Sequence, residues 1–233
     1  MRASVIVAMA GEGTRFGAPY PKELHTVSPH RTVLHCCLEP LTALDLTQVR
    51  IVGVVGAGRA RSMDVIGEEL GGRGAEVVFT VQNPRRHGPG LGGAVRAGLP
   101  YCEGVTAVVL PDQIFTTGEP DDFAEAMDMA RRHGRSALVH PTTDPEVLRA
   151  DGAVALDRRT GVITACEEKP QRGLDRFDGL WVVPMVSPGH RELLPTVATD
   201  PARVLCGAAY VEVESYVNVT RPSDVWGLRC PTY

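Results

Sequence analysis

Residues 3–9, Ala-Ser-Val-Ile-Val-Ala-Met, form a short apolar run that breaks at once into Ala10-Gly11-Glu12-Gly13-Thr14-Arg15-Phe16-Gly17. A run of this length, without polar alternation, reads as a strand covered on both faces. Further runs of the same kind follow at 50–55, 76–81, 105–110 and 136–140. Between them lie segments with helical spacing at 31–45, 60–70, 91–99 and 121–133. Alternating strand and helix predicts an α/β sandwich on a largely parallel sheet. After about residue 150 the pattern changes. Runs at 153–157 and 162–168 flank Arg158-Arg159-Thr160-Gly161, which reads as a hairpin turn. Strands are also expected at 179–185 and 209–219, with a helix near 188–196. No linker or repeat divides the chain, so residues 1–233 read as one domain with halves at 1–150 and 151–233.

The glycine loop narrows the chemistry. Glycines after a strand let backbone N–H groups approach a phosphate closely. Arg15 adds a bidentate donor, and Lys22, in Pro21-Lys22, a point charge. The dinucleotide pattern fails because Phe16 stands at the third glycine position, and no Gly-Lys-Ser/Thr follows for a P-loop. The cluster Gly53 to Gly58 reads as a tight turn after a strand. Of the 24 basic residues only Lys22 and Lys169 are lysine. A lysine standing among arginines is a candidate for work a wide guanidinium cannot do.

Composition excludes several alternatives. The net charge is −4 and only 5% of residues are aromatic, which argues against a nucleic-acid binder or a base-stacking platform. No apolar run reaches the ~20 residues of a membrane span. The start of the chain has no signal-peptide pattern, so a cytoplasmic protein is expected. Cys36, Cys37, Cys102, Cys166, Cys206 and Cys230 contain no C-x-x-C pair and read as reduced thiols. The Arg85-Arg86-His87 run reads as a solvated face, and Trp181 and Trp226 as packing residues.

Five segments, in order, resemble the sugar-1-phosphate nucleotidylyltransferase family, including its glucose-1-phosphate thymidylyltransferase-like members. They are the glycine loop with Pro21-Lys22-Glu23-Leu24; Gln82 with Gly90-Leu91-Gly92-Gly93-Ala94; Leu110-Pro111-Asp112; Asp151-Gly152-Ala153-Val154 with Glu167-Glu168-Lys169-Pro170; and Asn218-Val219-Thr220-Arg221-Pro222-Ser223-Asp224. The resemblance implies a Rossmann-like three-layer nucleotidyltransferase fold with a mostly parallel central sheet and a small antiparallel substrate region. It implies Mg²⁺-dependent transfer of a nucleotidyl group from a nucleoside triphosphate to a sugar 1-phosphate, releasing pyrophosphate. Arg15, Lys22 and Asp112 would be catalytic. Ala10, Gly11, Gly13, Thr14, Gln82 and Gly90 would hold the nucleotide, with Gln82 reading the base through its paired donor and acceptor. Gly152, Glu168 and Lys169 would hold the sugar phosphate, with Gly152 letting the backbone lie close to the sugar ring. Asp112 and Asn218 would bind the metal; many members have Asp at the latter position. A single-activity enzyme, a homodimer at the family level, is expected. The rival readings are a cytidylyltransferase acting on a polyol phosphate, which would carry an Asp-Ala-Ala-Arg-Pro-like stretch where this chain has Leu-Pro-Asp, and a non-catalytic nucleotide- or sugar-sensing relative.

Overall fold

Strand β1 (Ala3–Met9) shows how the apolar runs build the core: alternate side chains go to opposite faces of one sheet. The computed structural model describes residues 2–11, 16–56 and 58–226. In them the other strands are β2 (Thr26–Ser28), β3 (Arg31–Thr32), β4 (Val49–Val55), β5 (Glu76–Val81), β6 (Thr106–Val109), β7 (Gln113–Thr117), β8 (Arg135–Pro141), β9 (Gly152–Asp157), β10 (Val162–Glu168), β11 (Gly179–Val186) and β12 (Ala209–Asn218). The α-helices are α1 (Val33–Leu38), α2 (Ala60–Glu69), α3 (Pro84–His87), α4 (Gly90–Gly98), α5 (Asp122–His133), α6 (Pro145–Ala150) and α7 (Pro201–Leu205).

Val5, Val7 and Met9 of β1 and Ile51 of β4 face a layer in which Leu34, Leu38, Val65, Ile66, Phe123 and Met127 come from α1, α2 and α5. Ile6, Val52, Val54 and Val108 face the other layer, against Ala94 and Val95 of α4 and Val204 and Leu205 of α7. Each fully buried side chain of this kind contributes about 1.5–3 kcal/mol. The result is a helix–sheet–helix sandwich.

The large sheet has 10 strands in the order β5-β4-β1-β6-β11-β8-β12-β10-β9, with β7 pairing β12. It is mixed, which corrects the expectation of a mostly parallel sheet. Strands β5, β4, β1 and β6 run parallel. Strand β11 then runs antiparallel to both β6 and β8, and β9 and β10 form the predicted hairpin. The direction of β11 is invisible in the sequence because all eight of its residues are buried. A strand covered on both faces carries the same apolar signature whichever way it runs.

Other departures have local causes. The helix expected over 31–45 ends at Leu38 and continues as 3₁₀ turns, Glu39–Ala43, where Pro40 lacks the N–H an α-helix needs. The segment near 188–196 is likewise 3₁₀, with Pro188 and Pro195 in it. Gly53 lies inside β4 rather than in a turn, and glycine is required there because a Cβ would meet the Phe79 ring at 2.5 Å. Trp226 is 79% exposed, so it is no packing residue. Cys36, Cys37, Cys102, Cys166 and Cys206 are free thiols, and Cys230 lies outside the described residues. Among the described residues no helix is long and apolar enough to cross a membrane.

Candidate active site

Parallel strands in an open sheet leave a crevice beyond their carboxyl ends. Here Ala10 and Gly11 follow β1, Gln82 follows β5 and Asp112 follows β6. The hairpin β9–β10 and the end of β12 close the far side. Together they enclose a cavity of about 560 Å³. Every described residue of the predicted site lines it: Ala10, Gly11, Lys22, Gln82, Gly90, Asp112, Gly152, Glu168, Lys169 and Asn218. Gly13, Thr14 and Arg15 lie outside the described residues.

Beside β1 the glycine loop is anchored by a residue that no motif flagged. Arg59, buried at the start of α2, donates through Nε to the Met9 carbonyl at 2.8 Å and through a terminal N–H to the Gly11 carbonyl. Its charge faces Glu23 at 3.5 Å, and Ser62 donates to the same Glu23 oxygen at 3.0 Å. Gln82 donates through Nε2 to the carbonyls of Gly88 (2.8 Å) and Gly90 (3.1 Å). Its donor end is thus committed to the protein, leaving Oε1 as an acceptor. The paired donor–acceptor reading of this side chain is corrected accordingly. The close fit needs Gly93, where a Cβ would lie 2.3 Å from Gln82 Nε2.

In the middle, Lys22 forms an ion pair with Asp112, the side chains being 22% and 17% exposed. Register places Asn218 of β12 opposite Gln113, the residue after Asp112. The Val219 N–H donates to the Asp112 carbonyl at 2.8 Å, fixing the two segments together. Asp112 and Asn218 therefore offer two hard oxygen donors on one wall. No group of three or more His, Cys, Asp or Glu side chains suited to a metal exists among the described residues. Two protein oxygens suit Mg²⁺, which keeps most of its shell for water and phosphate.

At the hairpin end, Lys169 sits in left-handed backbone, φ +50°, with its N–H donating to the Asp151 carbonyl at 3.1 Å. Its ammonium lies 3.3 Å from Glu168 Oε1. Burial raises the Glu168 carboxyl above its ordinary range, with Lys169 opposing. Glu167, on the other face of β10, pairs with Arg176 instead. Two buried polar atoms here have no protein partner: Glu168 Oε2 and Trp181 Nε1. Gly152 is explained by the indole, since a Cβ there would fall 1.8 Å from Trp181 Nε1. Asp151 accepts from Asn218 Nδ2 at 2.7 Å and from the Tyr216 hydroxyl at 3.3 Å. Burial raises the Asp151 carboxyl, and these two hydrogen bonds pull it back. The Tyr216 hydroxyl is pushed far up by burial and by the Asp151 and Asp112 carboxylates. Arg59, Tyr216 and the role of Trp181 escaped sequence reasoning, because their contacts join segments far apart in the chain.

No family model matches the chain. It is 30% identical over 170 residues to the bifunctional protein GlmU of Streptomyces coelicolor, a match covering 71% of this chain and 33% of that protein. The chain spans between 21% and 33% of the length of the curated relatives it matches. Among solved structures, a UDP-glucose pyrophosphorylase complexed with UDP-glucose superimposes with a TM-score of 0.74 at 14% identity, covering 97% of this chain and 96% of that one. A Bacillus anthracis protein described as a glucose-1-phosphate thymidylyltransferase, in complex with a sucrose, gives 0.69 at 15% identity, covering 100% and 98%. These superpositions carry the fold, and in sequence the chain is similar to bifunctional GlmU proteins over 71% of its own length.

Proposed function

We propose that the cavity transfers a nucleotidyl group from a nucleoside triphosphate to a sugar 1-phosphate, with Mg²⁺ bound by Asp112 and Asn218. One observation carries this reading: the chain's two lysines, remote in sequence, line one cavity together with those two oxygen donors.

The chemistry asks little of covalent catalysis. A sugar phosphate oxygen attacks the α-phosphorus, and the bond to pyrophosphate breaks on the opposite side. The attacking phosphate is largely doubly ionised at neutral pH, with a second pKa of about 6, so no general base is required. The obstacle is repulsion between two polyanions, which positioning and opposite charge must overcome. Lys169 holds the acceptor phosphate, and Lys22 turns from Asp112 toward the α-phosphate. Asp112 and Asn218 would hold Mg²⁺, which when bound would supply neutralisation of phosphate charge. Glycine-loop amides cradle the triphosphate, with Arg15 on the departing pyrophosphate, and Gln82 Oε1 accepts from an N–H on the base edge. At the far end, Glu168 Oε2 and Trp181 Nε1 offer an acceptor and a donor suited to sugar hydroxyls. Residues 1–150 thus supply the nucleotide half and 151–233 the sugar-phosphate half of one domain.

The test is pyrophosphate release, screened over five triphosphates and a panel of sugar 1-phosphates and polyol phosphates with Mg²⁺. Release is expected with a sugar 1-phosphate, and Asp112→Asn should lower turnover on the order of 10³-fold. Release with polyol phosphates alone overturns the acceptor assignment. Nucleotide binding without release for any acceptor overturns the enzymatic reading in favour of a sensor.

A further inference from the structure

An asparagine amide has two ends of nearly equal size, and only the carbonyl oxygen can bind a cation. Something must therefore decide which end of Asn218 faces the cavity. The structure contains a directed chain of hydrogen bonds that does so. Gln113 Nε2 donates to the Tyr216 oxygen at 2.9 Å. With that oxygen already accepting, the Tyr216 proton is directed at Asp151 Oδ2, 3.3 Å away. Asp151 Oδ1 then receives Asn218 Nδ2 at 2.7 Å. A carboxylate only accepts, so turning the amide over would set its carbonyl against another oxygen and strand a donor. Asn218 Oδ1 accepts no hydrogen bond among the described residues, and the side chain lines the cavity beside Asp112.

We propose that Asp151 is a positioning residue: it orients the Asn218 carbonyl toward the cation and places one hydrogen bond away the negative charge that asparagine lacks. This rests on the reading that Asp112 and Asn218 hold the divalent ion. The arrangement follows the general pattern in which outer carboxylates orient and polarise the groups that ligate a metal. Asp151 also lines the cavity, but in this role its effect runs through the amide.

The experiment measures Mn²⁺ binding to the full chain by water proton relaxation, without turnover. Asp151→Asn keeps the shape but offers an amide to an amide, so Asn218 loses its preferred direction. Affinity should fall about 10-fold, while the urea midpoint stays close to that of the parent. In an Asn218→Asp background the sign should reverse. Two carboxylates then face each other, and Asp151→Asn relieves their repulsion, leaving Mn²⁺ binding equal or tighter. A merely structural role predicts the same loss in both backgrounds, and that result, or no loss in the Asn218 protein, overturns the proposal. Asp112→Asn is measured in parallel. If it leaves Mn²⁺ affinity unchanged, the cation site itself is wrong and the role of Asp151 falls with it.

Discussion

The glycine-loop end and the hairpin end of the cavity, proposed to take the triphosphate and the sugar phosphate, satisfy their polar groups in opposite ways. At the glycine-loop end the protein supplies the partners itself: Arg59 ties down the Met9 and Gly11 carbonyls, and Gln82 spends its donor on Gly88 and Gly90. At the hairpin end Glu168 Oε2 and Trp181 Nε1 are buried without partners. Buried polar atoms left unpaired are costly, and a ligand that supplies their partners recovers that cost. On the proposed reading, the described residues of one end are held by the protein itself, and the polar atoms of the other find partners in the ligand. Damage to the first should show in folding, and damage to the second in substrate affinity.

The sharpest way to break this contrast is Arg59→Leu. It leaves Glu23 buried without its counter-charge, with Ser62 as its remaining hydrogen-bond partner, a situation that typically costs about 3–5 kcal/mol. Urea unfolding should show a loss of that order, and a loss below about 1 kcal/mol would mean the loop does not depend on this anchor. Next comes Trp181→Phe, which keeps the ring and deletes the N–H. Stability should hold, while KM for the sugar phosphate rises about 3- to 10-fold, the value of one neutral hydrogen bond. An equal rise in KM for the triphosphate would erase the distinction between the ends. The smallest effect concerns Glu168→Gln. Burial raises the Glu168 carboxyl, so the folded chain holds that proton to higher pH than the unfolded chain does. Stability from this group therefore falls as pH rises from the ordinary glutamate range through the raised value. Binding through the ionised carboxylate is lost as pH drops below the raised value. The glutamine variant should flatten both trends, read by unfolding midpoints and by KM for the sugar phosphate across pH 4–7.

The same contrast explains what could be read in the sequence. The glycine loop, Asp112 after its strand and the Glu168-Lys169 pair are local patterns, and the cavity gathers the described ones. Arg59 looked like one arginine among many, since nothing near it says that Met9 and Gly11 lie beside it. Asp151 and Asn218 meet across 67 residues, a contact set by sheet register and written in neither segment alone. Strand β7 was missed because it starts directly after the Pro111-Asp112 turn, with no second turn to mark it. Trp181 carried a correct signal for packing, yet its free N–H appears only once the neighbouring strands are in place.

Lys169 carries a last consequence. A left-handed backbone costs an ordinary residue roughly 1–2 kcal/mol that glycine escapes. Selection for robustness alone would favour glycine there and so discard the ammonium. Any redesign guided purely by thermal tolerance would be drawn to this residue and to His30, which shares its backbone conformation, and at Lys169 would harden the scaffold while removing the proposed phosphate anchor.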